Sequence, residues 1–183
     1  MTQDPIQRLL DEHADLMSRF EPLRQAVHLL GEGGDAALPV VLPALREASR
    51  VMQSDLLAHA HREDEVLFGA VEEVFGREFG PIVVMRQEHR EIHGNADLFR
   101  NTLHELHEVE HPAIESGAAR LKTQLDTGAG ADTLRATGAD LLAMLDAHFG
   151  KEEDILFPLA RQALSADAMR DVARRMDELD RQK

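Results

Sequence analysis

Two segments of the chain repeat each other residue for residue where chemistry could occur: His59-Ala-His-Arg-Glu63-Asp-Glu-Val-Leu67-Phe68 and His148-Phe-Gly-Lys-Glu152-Glu-Asp-Ile-Leu156-Phe157. The offsets 148 − 59, 152 − 63, 156 − 67 and 157 − 68 all equal 89. Residues four apart lie on one helix face, one turn above each other. An imidazole and a carboxylate so placed can converge on a metal ion. Further imidazoles occur as His89-Arg-Glu-Ile-His93, again one turn apart, and as His13 in Asp-Glu-His13, a dipeptide that recurs as Glu88-His89. The candidate ligands are His13, His59, Glu63, His89, His93, His148 and Glu152. Five imidazoles and two carboxylates exceed the needs of one ion but suit two six-coordinate ions. Glu63 and Glu152 would bridge, an oxide or hydroxide would add a further bridge, three histidines would complete one ion, and two would leave the other open. Nitrogen and oxygen ligands without sulfur fit iron, manganese or zinc, and iron makes best use of an open position.

These residues need helices to carry them. Asp4-Pro5 reads as an N-cap and first helical residue, and apolar residues from Ile6 to Leu30 then recur at helical spacing until Gly31-Glu-Gly-Gly34. A second helix runs from about Ala37 or Pro39 to about Phe75, with Pro43 as a candidate kink, and a third starts at Pro81. Pro112 breaks or kinks that third helix, and residues 113–125 read as a short additional one. A fourth starts with Asp132 as its cap and carries His148 and Glu152. The expected fold is all-α, an up-down-up-down four-helix bundle over residues 1–165. Residues 166–183 form an extra amphipathic C-terminal helix with Met169, Val172, Met176 and Leu179 on one stripe, suited to capping the bundle, to a homodimer or to an unknown protein partner. His13 lies 17 residues before Leu30 and His148 lies 16 after Asp132, so both sit at one depth, roughly 25 Å from the same bundle end at 1.5 Å per residue.

Other groups near these ligands read less sharply. Glu12, Asp64, Glu88 and Glu153 stand about 100° round their helices from the ligands, placed either to orient imidazoles or to face solvent. His61 reads as solvated, and so do His104, His107 and His111, which share a face with Glu108. Phe68, Phe149, Phe157, Met17, Met85, Ile92 and Leu145 read as packing around the site.

Composition excludes several classes. No cysteine is present, which rules out disulfides, thiolate chemistry and iron–sulfur clusters and accords with a cytoplasmic protein. Tyrosine and tryptophan are also absent, which disfavours a tyrosyl-radical enzyme. A formal charge of −14 would repel a phosphate backbone, so nucleic acid is not an expected partner. No apolar run approaches the roughly 18 residues of a membrane span, and the polar N-terminus does not read as a secretory signal.

With His13, His59-x-x-x-Glu63, His89-x-x-x-His93 and His148-x-x-x-Glu152 in this order, and Leu67-Phe68 and Leu156-Phe157-Pro158 following, the chain resembles the hemerythrin-like, or HHE cation-binding, family over about residues 5–160. The resemblance implies a non-haem di-iron centre, with His89, His93 and His148 on one iron and His13 and His59 on the other. Glu63 and Glu152 would bridge the two, and O2 would bind end-on at the five-coordinate iron. Oxygen-carrying members have an aspartate five residues after the last histidine. Here Glu152 follows His148 at four, a spacing similar to the bacterial and F-box-associated branches with their more varied roles. The implied function is binding of O2 or another small diatomic for sensing, scavenging or supply. Reduction of peroxide or nitric oxide, and iron storage or delivery, stand as alternatives, so enzymatic turnover is left open.

Overall fold

The computed structural model describes residues 3–76 and 110–182. Helix α1, Pro5–Gly33, begins as the sequence indicates: Asp4 accepts the Gln7 N–H at 2.9 Å, and Pro5 takes the first position, where no N–H is needed. The helix ends at Gly34, whose φ of +52° suits a residue without a Cβ. A 3-10 turn, Gly34–Ala37, leads into α2, residues 38–76. Pro43 lies within α2 and does not break it. Two wider π-helical turns interrupt α2, at Met52–Leu56 and Glu63–Phe68.

Helix α3, His111–Thr127, carries Pro112 in its first turn, directly after Glu110 in a π-helical turn; the segment that the expected break or kink would separate from it lies outside the described residues. Gly128, at φ +72°, ends it. Helix α4, residues 131–163, contains a third π turn, Glu152–Leu156. Its start differs from expectation. The helix begins at Ala131, which places Asp132 inside the first turn, and the Ala131 N–H is capped from a distance by the Asp35 carboxylate at 2.8 Å. Helix α5, Ala166–Arg181, is capped by Ser165 Oγ, which accepts the Ala168 N–H at 3.2 Å.

The protein is all-α, with no strand among the described residues. Among the described residues, helix α1 packs on α2 and α4, and α3 packs on the same two, so these four close a ring. Helix α5 lies against α1 and the Glu63–Phe68 turn. Apolar packing among the described residues falls into two clusters. One holds Leu16, Phe20, Leu56, Ile114, Leu121, Leu141 and Leu145; the other holds Ile6, Leu9, Val66, Leu67, Leu156, Phe157, Val172 and Met176. Each fully buried side chain of this size stabilises the fold by roughly 1.5–3 kcal/mol. Between Leu9 and Leu16, between Leu56 and Val66, and between Leu145 and Leu156, the buried positions other than Phe149 are polar: His13, His59, Arg62, Glu63, His148 and Glu152.

Candidate metal centre

Each helix of the ring supplies this layer from its inward stripe. His13 follows Leu9 by four residues and precedes Leu16 by three, and His111 precedes Ile114 by three. His13, His59, Glu63, His111, His148 and Glu152 are all buried, the two glutamates completely. Five were expected as ligands from their spacing. His111 was expected on a solvated face and is instead 5% exposed, inside the layer. His89 and His93, with Glu88, His104, His107, Glu108, Met85 and Ile92, lie outside the described residues. His61 is exposed, as read from the sequence.

The six side chains form two groups that share both carboxylates. In the first, His13 Nε2 and His59 Nε2 are 2.9 Å apart, His13 Nε2 is 3.1 Å from Glu152 Oε2, and His59 Nε2 is 3.3 Å from Glu63 Oε1. In the second, His111 Nε2 and His148 Nε2 are 3.0 Å apart. His148 Nε2 is 3.4 Å from Glu152 Oε1, and His111 Nε2 is 3.8 Å from Glu63 Oε2. Thus each glutamate turns one oxygen to each histidine pair. The four donor atoms of either group lie within 4.8 Å of one another.

The opposite edge of every ring is held by an acid of another helix. His13 Nδ1 meets Glu153 Oε1 at 2.8 Å, His59 Nδ1 meets Glu12 Oε2 at 2.8 Å, His111 Nδ1 meets Asp64 Oδ1 at 2.8 Å, and His148 Nδ1 meets Glu110 Oε2 at 2.9 Å. A carboxylate accepts, so each Nδ1 carries a proton, and a ring in its neutral form presents the Nε2 lone pair inward. The pattern is cyclic: α1 braces the histidine of α2, α2 that of α3, the residue before α3 that of α4, and α4 that of α1. Glu12, Asp64 and Glu153 were legible as possible orienting acids. Glu110 was not singled out, although Glu110-His111 repeats Glu12-His13. Depth was the other signal, since His111 lies 16 residues before Thr127 and His148 lies 17 after Ala131.

This arrangement fits cations and little else. All four carboxylate oxygens of Glu63 and Glu152 are buried without a hydrogen-bond partner among the described residues, a costly state unless an ion satisfies them. Two inward imidazole lone pairs about 3 Å apart repel each other, whereas ligands near 2.1 Å from a metal and at right angles to one another are themselves roughly 3.0 Å apart. Charge tells the same story. Burial and the charge of Glu63 push Glu152 well above the usual carboxylate range. Burial would raise Glu63 too, but the imidazoles of His59 and His13 bring it to about 2. Like charges side by side thus push the two buried carboxyls apart, Glu63 towards its charged form and Glu152 towards its neutral one. Burial lowers His148 to about 4, while at His59 the charges of Glu63 and Glu12 overcome burial and raise it to about 9.

Aromatic rings close the layer. Phe157 stacks on His13 at 5.3 Å and Phe68 on His111 at 6.0 Å, matching their equivalence in the repeat. Phe149 breaks that symmetry: it stacks on His13 at 4.1 Å and also touches His59 and His148, and its repeat counterpart is Ala60.

Compared with known families, the chain matches the model of the hemerythrin HHE cation binding domain twice, over residues 4–116 and again over residues 102–183. No curated protein and no solved structure matched it.

Proposed function

The chain belongs to the hemerythrin HHE cation-binding family, and on that premise we propose that its histidine–glutamate layer holds two non-haem iron ions and binds O2 or another small diatomic. The observation that carries this reading is the division of the Glu63 and Glu152 oxygens between two histidine pairs. His13 and His59 would hold one ion, His111 and His148 the other, and both glutamates would bridge. The four donors that the described residues offer to each ion would leave positions for a bridging oxide or hydroxide and for a small ligand. Iron is the metal in such a nitrogen–oxygen set whose redox change would make that position useful.

The protein's own part is to hold and to exclude. The acids behind the four histidines fix the inward tautomer, and Phe68, Phe149 and Phe157 with the flanking apolar clusters limit access of water and protons. The chain offers no cysteine, tyrosine or tryptophan as an electron relay, which favours reversible binding over reduction of peroxide or nitric oxide. It also accords with a cytoplasmic protein, and no described helix is long and apolar enough to cross a membrane.

Metal analysis of anaerobically purified protein, followed by its visible spectrum on admitting air, tests the proposal. Two irons per chain and an absorption band that fades again when the gas is removed are expected. Bleaching with turnover of added peroxide would favour the reductase reading. Rapid loss of iron to a mild chelator would favour storage or delivery.

A further inference from the structure

The two half-sites have like ligands but unlike supports. Behind His59, the Glu12 carboxylate accepts from the imidazole at 2.8 Å, from Arg62 Nη2 at 2.8 Å and, more weakly, from Arg62 Nε at 3.3 Å; its other oxygen accepts from Arg8 Nε at 3.0 Å. Both guanidiniums are held in turn by the C-terminal helix. Arg62 Nη1 donates to Asp180 Oδ1 at 2.9 Å, Arg8 Nη1 donates to Asp177 Oδ1 at 3.1 Å, and Arg8 Nη2 donates to Asp180 Oδ2. Arg62 is 9% exposed, so this chain runs from the helix surface into the buried layer. Nearby, Arg175 Nη2 donates at 2.7 Å to the carbonyl of Glu65, within the π turn that begins at Glu63. Behind His148, by contrast, Glu110 is met by Lys151, a neighbour on α4 itself.

We propose that α5 is a positioning element of one half-site: Asp177 and Asp180 hold Arg8 and Arg62, these fix Glu12, and Glu12 fixes the His59 imidazole. This rests on the metal-binding reading above. A guanidinium with both ends engaged is a rigid fork. Remove the acids of α5 and the two arginines are free to turn, and Glu12 is pulled from the ring it orients. Loss of such an outer support commonly lowers metal affinity 10–100-fold. The effect falls on the His13–His59 ion, because nothing on α5 reaches Glu110 or His148 among the described contacts.

Anaerobic titration of the full chain with Co(II), followed by calorimetry and visible absorption, separates the two ions. The wild type is expected to take two. The double variant Asp177→Asn/Asp180→Asn should show one binding event weakened by about tenfold or more and the other unchanged. Met176→Ala, which removes core packing from the same helix (Met176 is 0% exposed), should lower the melting temperature and leave both affinities as they were. Equal weakening of both events, no weakening, or the same selective loss in Met176→Ala would overturn the inference. A wild-type chain that takes no Co(II) would overturn the metal reading and this inference together, whereas two ions bound alike by wild type and double variant would overturn this inference alone.

Discussion

Each histidine of the buried layer donates its Nδ1 proton to an acid from a neighbouring segment and turns its Nε2 towards Glu63 and Glu152. Such a layer is expensive unless cations occupy it, and that cost separates its members experimentally. His111→Ala should lose as much metal as His148→Ala, read by metal analysis per chain. Retention of two ions would remove His111 from the centre. Glu152→Gln keeps the shape and removes the ability to ionise towards a cation, so it should lose metal while the metal-free variant melts no lower than metal-free wild type. A fall of several degrees would mean that protein groups, not ions, satisfy that carboxylate. At this scale the sequence was legible where two signals coincided: His59/Glu63 and His148/Glu152 are spaced for one face and repeated at a fixed offset. His111 lacked a carboxylate one turn on, stood before a proline and competed with His89-x-x-x-His93, so its burial was invisible from spacing. It took the ring of helices to bring Glu110-His111 opposite Glu12-His13.

The helices are shaped to serve these residues. At about 100° per residue, Phe68 would point some 180° away from His59 in a regular helix. The π turn at Glu63–Phe68 holds more residues per turn, swings Phe68 inward and lets it stack on His111. The turn at Glu152–Leu156 precedes Phe157, which stacks on His13. Periodicity alone reads α1, α2 and α5 well because their apolar stripes are long, but it cannot show a π turn, nor the reach of Asp35 to cap α4. Close packing sets a second demand. A Cβ on Gly117 of α3 would meet Leu141 Cδ2 of α4 at 2.6 Å, and Leu141 is wholly buried. Gly117→Val should therefore destabilise by roughly 1–3 kcal/mol in chemical denaturation; an unchanged midpoint would mean that the α3–α4 contact is looser than this spacing implies. Helix α5 offers a pH test. Burial alone would raise Asp180, but hydrogen bonds and charge from Arg8 and Arg62 leave it below the usual aspartate range. A depressed folded value stabilises above the ordinary aspartate pKa, and that contribution fades as pH falls through the folded value. Asp180 is 37% exposed, so screening limits it to about 1 kcal/mol or less. In chelator, Asp180→Asn should melt lower than wild type near neutrality and converge with it in acid; a constant gap at all pH would show that its charge is not the cause.

On the scale of the whole molecule, the described residues form two apolar clusters stacked through a polar layer that carries four imidazoles and two carboxyls without a partner among those residues. An apolar filling of those positions would stabilise the bundle more simply, so a metal-free layer would weaken the fold and bound ions would become part of its stability. Binding linkage gives the size. At a hundredfold excess over Kd each site adds about 2.7 kcal/mol, hence roughly 5 kcal/mol for two, and a domain of this length shifts by about 2–4 °C per kcal/mol. Two divalent ions would also reduce the formal charge from −14 towards −10 (−14 + 4), easing self-repulsion most at low salt. Removing metal with a strong chelator should therefore lower the melting temperature by about 10 °C or more, with the helical circular dichroism signal at room temperature retained. Acid should release the ions as well, because protons compete for the same imidazoles and carboxylates. If chelation left the melting temperature where it was, the buried layer would owe its stability to contacts within the protein, and the case for ions bridging Glu63 and Glu152 would fall with it.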